Sequence, residues 1–392
     1  MKNKHINMWI VLGLILAIIF GILLPDMMIK LSFLGTIYLN LLKFMIVPII
    51  FTSIAVTVYK TRSVKNNSLL KTILVFIIMF VTTFFITSLL TWLIKPGKGF
   101  VFNNVIWNGE VIKLSFTDAL VNLFPTNMIT MFQNNALFGI ILFAFVFGIA
   151  ATKVDKGEKV INFIDNLKDI FYKILEYIMY LTPIGVFSLV GVMLANYKLD
   201  VINMGIKYIG TAYLCSFIAF ILVMLIPSCI ITKMNPLTYI KKLSKVFLMT
   251  FTTCSSVATL PTTIKTCKEE FKISPETTDV VVPLGCTIHM CGGAVSFALL
   301  SIFCSQYFEI EITASKYLLM IFSATLINMA APGIPNGGIV IGASYLTLLN
   351  MPITFIGFYS GIYKVLDMAY TTLNVTGDVT ANIIIDKLKT KK

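Results

Sequence analysis

LDMAYTTLNVTGD, residues 366–378, lies within a long apolar segment near the end of the chain. At roughly 100° per residue, Asp367, Thr371, Asn374 and Asp378 fall on one narrow face of a helix. Two carboxylates, an amide and a hydroxyl thus point the same way in a segment whose neighbours suit lipid. A charged side chain at bilayer depth costs a few kcal/mol or more, so this face predicts a binding site rather than packing. A structural ion pair between Lys364 and Asp367 is the competing reading, and it leaves Asp378 without a partner.

Composition sets the class. The chain has 392 residues, of which 57% are hydrophobic and 12% charged, with a mean hydropathy of +0.90. Soluble domains carry about a quarter charged residues, so these values predict an all-α polytopic membrane protein. A net charge of +13 does not indicate a nucleic-acid partner. All the basic residues but Arg62 are lysines, set mostly in short loops between apolar runs, which is the positive-inside pattern. Seven cysteines (Cys215, Cys229, Cys254, Cys267, Cys286, Cys291, Cys304) lie mostly in apolar runs without the spacing of a disulfide-stapled domain, and read as reduced core or lipid-facing residues. Residues 6–25 follow Lys2 and Lys4 as a signal peptide would. They lack a small-residue cleavage site and run into another span, so they are read as the first helix.

A span needs roughly 20 apolar residues. Six are expected first, over 6–25, 31–59, 68–95, 125–152, 160–195 and 203–233. The clusters Lys60/Arg62/Lys65/Lys71, Lys153/Lys156/Lys159 and Lys233/Lys241/Lys242/Lys245 fall on every second loop, which puts those loops and both termini on the cytoplasmic side and makes 97–124 an external loop. Beyond Lys245 the pattern breaks. Residues 246–253 are too few to cross about 30 Å of hydrocarbon, and Cys254-Ser255-Ser256 and the charged run Lys265–Lys272 follow, so a re-entrant hairpin with a serine-rich tip is expected. A span over 279–306 is interrupted at CTIHMCGG. A second broken segment, 316–347, carries NMAAPGIPNGG, whose prolines and glycines forbid a continuous helix; a last helix over 352–388 holds the polar face. The expected total is eight transmembrane helices and two re-entrant hairpins. A hairpin followed by a broken helix occurs twice, at 243–306 and 316–388, the inverted-repeat pattern of secondary transporters.

These residues are specific enough to carry a resemblance. LLKFMIVPIIF (41–51), PTN…NNALFGIILFAFVFGIAA (125–151), LTPIGVF (181–187), CSSVATLPTT (254–263), VPLGCTIHM (282–290), APGIPNGG (331–338) and LDMAYTTLNVTGD (366–378) occur together. In this order and spacing, the chain resembles the glutamate/aspartate transporter family, the dicarboxylate/amino acid:cation symporters, over nearly its whole length. The resemblance implies a homotrimer in the cell membrane working by an elevator-type movement. It divides the chain into scaffold helices 1–2 (1–67), transport-domain helix 3 (68–95), scaffold helices 4–5 with the external loop (96–202), and the rest of the transport domain (203–392).

The resemblance also implies residue roles. Asp367 would bind a substrate α-ammonium, while Asn374 and Ser256 would hold its α-carboxylate; Ser255, Gly333, Pro335 and Thr371 complete the expected pocket. The competing reading of Ser255 and Ser256 is that they merely cap the hairpin tip. Where acidic-substrate members carry an arginine for the side-chain carboxylate, this chain has Tyr370, and the assisting threonine is Gly293. Without that cation a second carboxylate would be left uncompensated, so the expected substrate is a neutral amino acid or similar zwitterion; a site for acidic substrates would have to rely on Lys364.

Cation coupling is expected to differ as well. The family's Asn-Met-Asp is His289-Met290-Cys291 here, and a thiol or imidazole does not suit sodium. A sodium site of Asp378 with backbone carbonyls of Gly285, His289 and Asn374 remains expected, with fewer ions than acidic carriers use. His289 is open to a second reading as a proton site, and to a third as a neutral core histidine. Cys286, His289 and Cys291 also invite a metal reading, but Cys291 falls off the shared helix face. No organic cofactor is expected. An enzyme is not expected either, because no nucleophile, base and oxyanion arrangement occurs. The alternative of another class is an uncoupled channel or sensor on the same scaffold.

Overall fold

The computed structural model describes residues 4–63, 67–99, 126–133, 136–197, 200–328 and 337–390. No strand occurs among them. The N-terminal part comprises α1 (Lys4–Leu23), α2 (Pro25–Lys30), α3 (Ser32–Ser63), α4 (Asn67–Ile94), α5 (Met128–Gln133), α6 (Leu137–Ala151), α7 (Gly157–Met179) and α8 (Thr182–Tyr197). Among the described residues, four helical stretches are long and apolar enough on their own to cross a bilayer: Pro25–Lys60, Leu70–Ile94, Val201–Thr232 and Pro275–Tyr307. Side chains such as Leu70 (77% exposed) and Leu93 (70% exposed) face outward, where a soluble protein would expose a damaging apolar patch. The expected external loop falls almost wholly outside the described residues.

One expected span is in fact two helices. Residues 160–195 divide into α7 and α8, which meet at 51°. Pro183, at the second position of α8, has no N–H to continue the ladder and disfavours helical backbone at Thr182, so the chain turns there. α8 then lies along α1 and α3, with Tyr38 Oη and Thr182 Oγ1 3.2 Å apart at their contact.

The second half is built from interrupted helices. α9 (Asp200–Ala219) passes through a π-helical segment, Phe220–Leu225, into α10 (Ile226–Thr232), the register change falling just before Pro227. α11 (Pro236–Thr253) and α12 (Ser256–Lys265) form the first hairpin. It is longer than apolar counting suggests. α11 buries only one stripe, Tyr239, Leu243, Val246 and Thr250, while Lys241, Lys242 and Lys245 occupy its other faces. The two arms are antiparallel: Tyr239 and Phe271 have ring centroids 5.4 Å apart, and Lys242 Nζ donates to the Glu270 carbonyl. Cys254, at φ +49°, makes the turn, and Ser255 caps α12 by accepting from the Ala258 N–H at 3.2 Å.

α13 (Pro275–Ile288) and α14 (Cys291–Tyr307) are one span broken at His289 and Met290, both in non-helical backbone (φ −112° and −126°). α15 (Ala314–Asn328) and α16 (Gly337–Leu348) form the second hairpin, closed by Tyr345 Oη donating to the Met320 carbonyl at 3.2 Å. Its expected turn residues, Gly333 and Pro335 among them, lie outside the described residues. α17 (Phe355–Thr390) departs from the expected repeat: it runs 36 residues without a break. No proline follows Pro352 and no glycine pair occurs in it, so nothing local interrupts the ladder. It packs against α11, α13 and α14 and is the spine on which the site is assembled.

Candidate functional site

Two glycines let α14 come close to α17 and to the end of α15, with a cavity between them. A side chain at Gly292 would run into the Tyr370 carbonyl, and a Cβ at Gly293 would stand 2.6 Å from Asn328 Oδ1. Between these elements lies a cavity of about 50 Å³. Of the residues expected from the sequence, Ser256, Gly293, Asp367, Tyr370, Thr371 and Asn374 line it. Ser255 is set one step back, as the cap of α12. Gly333 and Pro335 lie outside the described residues.

The polar face of α17 is held from within. Thr371 Oγ1 donates to Asp367 Oδ1 at 2.9 Å, one helical turn apart, which fixes a carboxylate only 6% exposed. Asn374 Oδ1 accepts from the Gly292 N–H at 2.7 Å, an otherwise orphaned donor at the start of α14. That bond sets the amide orientation, with the NH₂ on the side away from the Gly292 N–H. Asp367 is the one charged residue lining the cavity among the described residues; Lys364 does not line it. Such a site offers an acceptor for a cation at Asp367 and donors for an anion at Asn374 and the N-terminal end of α12.

A second polar centre sits behind the break in the α13–α14 span. His289 is 1% exposed and its ring stacks on Phe76 of α4, centroids 4.4 Å apart at 8°. His289 Nδ1 lies 2.9 Å from Asp378 Oδ1, and His289 Nε2 lies 3.1 Å from Cys291 Sγ. A ring carrying its proton on Nδ1 donates to the carboxylate and accepts from the thiol, which satisfies all three groups. Both ring nitrogens are therefore engaged within the protein, and Cys286 is not one of their partners. Among the described residues no group of three His, Cys, Asp or Glu side chains is arranged to hold a metal ion.

Asp378 lies against Gly285, where a Cβ would stand 2.7 Å from Asp378 Cγ. Yet the Gly285 carbonyl accepts the His289 N–H at 2.9 Å, and the imidazole covers one carboxylate oxygen. Sodium needs several oxygens at once. A cation at Asp378 would share Oδ1 with the His289 ring.

Among the further wall residues that sequence reading missed are Cys254, Ser296, Asn328 and Tyr363. Ser296 is spent on Tyr359, 2.6 Å away. Asn328 carried a signal, an amide at the very end of an apolar helix and just ahead of the proline and glycine run.

The chain is similar to known proteins over nearly its whole length. The model of the sodium:dicarboxylate symporter family matches residues 6–388. The chain is 28% identical to a proton/glutamate-aspartate symporter of Bacillus subtilis (strain 168), over 98% of this chain and 95% of that protein. It is 27% identical to a proton/sodium-glutamate symport protein of Geobacillus stearothermophilus, over 99% and 95%. It is also 27% identical to neutral amino acid transporter A of Bos taurus, over 71% of this chain and 59% of that protein.

Proposed function

The chain belongs to the sodium:dicarboxylate symporter family, and is therefore a multi-pass membrane transporter rather than an enzyme; we propose that this secondary symporter carries a neutral amino acid or similar small zwitterion across the plasma membrane. The observation that carries the reading is the charge balance of the cavity: one carboxylate, Asp367, beside the oriented amide of Asn374, and no lining cation among the described residues. A substrate ammonium complements Asp367 and a single substrate carboxylate complements Asn374 and the Ser256 end of α12. A second carboxylate, as in aspartate or succinate, would meet Tyr370 and Gly293 with nothing to neutralise it.

On this reading α4, α9–α10, the first hairpin, α13, α14, the second hairpin and α17 move together as the transport domain of a homotrimer with cytoplasmic termini. The packing of α4 on α14 and the Phe76–His289 stack support α4 as part of that body. The coupling ion is a cation taken at Asp378. Sodium is the first choice, because a carboxylate at Asp378 with backbone carbonyls such as those of Gly285 and Asn374 would make a set of hard oxygen donors. The direct His289–Asp378 contact favours a second choice, a proton held by that pair.

Thermal stabilisation of the purified protein by the twenty amino acids and the C4 dicarboxylates, each with and without sodium, tests the reading. Neutral amino acids should raise the midpoint, and aspartate and succinate should not. Strongest stabilisation by aspartate or succinate would overturn it.

A further inference from the structure

Where α17 meets α8, one leucine lies between glycines of two different helices. Leu189 of α8 rests against Gly35 of α3 on one side and Gly357 of α17 on the other: a Cβ at Gly35 would stand 2.6 Å from Leu189 Cδ2, and one at Gly357 would stand 2.7 Å from Leu189 Cβ. The α8–α3 half of this contact is fixed. Ser188 Oγ, on the neighbouring residue, donates to the Leu31 carbonyl at 2.8 Å and accepts the Gly35 N–H at 3.0 Å. Gly361 lies one turn beyond Gly357 on the same face of α17 and has more room: a Cβ there would find Val190 Cγ2 at 3.2 Å, Val186 Cγ1 at 3.4 Å and Leu14 Cδ1 at 3.6 Å. The next positions along that face are Lys364 and Val365, both with large side chains. The face thus offers a leucine two gaps, one helical turn apart.

We propose that Leu189 is a detent for the movement of α17, seated at Gly357 in the observed position and reseating at Gly361 once α17 has shifted by one helical turn. The proposal rests on the reading of α17 as part of a body that moves against α1, α3 and α8. A shift of four residues carries α17 about 6 Å along its axis and brings Gly361 opposite Leu189. One-turn steps of this kind are how packed helices exchange one discrete arrangement for another. Halfway through the step, the leucine faces the ridge between the two gaps, and a close-packed interface resists that compression. The observed position is one in which α16 lies on α3 while the first hairpin packs on α13 and α17. A static account is the alternative, in which the glycine pair only lets two membrane helices approach. The two accounts differ in sign. Glycines serving one fixed contact both weaken it when enlarged, whereas two alternative seats respond in opposite directions.

The test is double electron–electron resonance on the full-length protein in lipid nanodiscs, diluted with unlabelled protein. Spin labels on unnatural amino acids replace Lys241 of the first hairpin and Lys159 of α7, both exposed. Gly357→Ala, whose Cβ meets Leu189 Cβ, should raise the population of a second distance about tenfold or more over the parent. Adding Gly361→Ala should remove that gain, because the second seat is then filled too. Adding Leu189→Gly to Gly357→Ala instead, which takes away the Cβ as well as the branch, should return the parent's balance to within about threefold. Leu189→Ala alone leaves either seat nearly empty and should broaden the distribution by filling in intermediate distances; it decides the matter if Gly357→Ala does not fold. Two distances whose balance Gly357→Ala leaves unchanged, or a gain that Leu189→Gly does not reverse, would overturn the detent and leave the moving body standing. A single unchanged distance in the parent and in every folded variant would remove the movement and the detent together.

Discussion

Replacing Asp367 by asparagine removes the only charge lining the cavity among the described residues while changing the side chain's shape hardly at all. Thr371 Oγ1 can still donate to the amide oxygen across the 2.9 Å contact, so the local helix geometry has no reason to change. What disappears is the attraction between a carboxylate only 6% exposed and a substrate ammonium. Removing one partner of a buried, hydrogen-bonded ion pair costs about 3–5 kcal/mol. At about 1.4 kcal/mol per decade this corresponds to roughly a 100- to 4,000-fold loss of affinity. The asparagine oxygen can still accept one hydrogen bond from the ammonium, which puts the expectation near the lower end, about 100-fold. Calorimetry with the best neutral ligand, alongside uptake into proteoliposomes, measures the effect. Binding within threefold of the parent by a folded variant would refute the assignment of Asp367 to the substrate ammonium.

Tyr370→Arg should gain measurable aspartate affinity at the expense of neutral ligands, because a guanidinium would supply the missing cation; competition binding against the parent reads this. Asp378→Asn should flatten the sodium dependence of substrate binding if sodium couples there, and that dependence in the parent should be near first power at fixed ionic strength. His289→Asn should instead abolish uptake driven by an inward proton gradient if the His289–Asp378 pair carries a proton, which dye-based pH measurements in proteoliposomes distinguish. Gly292→Ala should impair folding outright, since its Cβ would meet the Tyr370 backbone carbonyl, which a rotamer change cannot move; size-exclusion profiles of the purified variant would show aggregation or loss of yield.

Much of this site was legible in the sequence because it depends on helix periodicity. The 4, 3, 4 spacing of Asp367, Thr371, Asn374 and Asp378 fixes one face on any unbroken helix, and α17 is unbroken. Cys254-Ser255 and His289-Met290 were legible as interruptions because polar residues and glycine pairs cannot be absorbed into a lipid-facing helix without a reason. The extent of the first hairpin was not legible, because α11 is amphipathic and its lysines mask the buried stripe through Tyr239 and Leu243. The bend between α7 and α8 was missed because hydropathy averages across Pro183. The role of Asn328 is tertiary: nothing near it in sequence tells that its amide reaches over Gly293 from another helix.

The break between α13 and α14 is pinned on both sides to one helix, and this offers a physical route for coupling. Before the break, His289 is tied to Asp378; after it, the Gly292 N–H is tied to Asn374. Asp378 and Asn374 are one turn apart on α17, so the two ties cannot shift independently without bending that helix. His289 and Met290, in extended backbone, are the soft dihedrals between them. A cation arriving at Asp378 must compete with the His289 ring, and any displacement of His289 acts through those dihedrals on the start of α14. There Gly292 orients the amide proposed to meet the substrate carboxylate, and Gly293 gives room to the amide of Asn328. An ion that alters the first tie therefore alters the energy of the second, which is the requirement for a reciprocal coupling free energy between ion and substrate. Weakening the second tie from the other side, by Asn374→Ala, should lower substrate affinity and also reduce the ion's effect on whatever affinity remains. An ion dependence unchanged in slope, with substrate affinity reduced, would locate the coupling elsewhere.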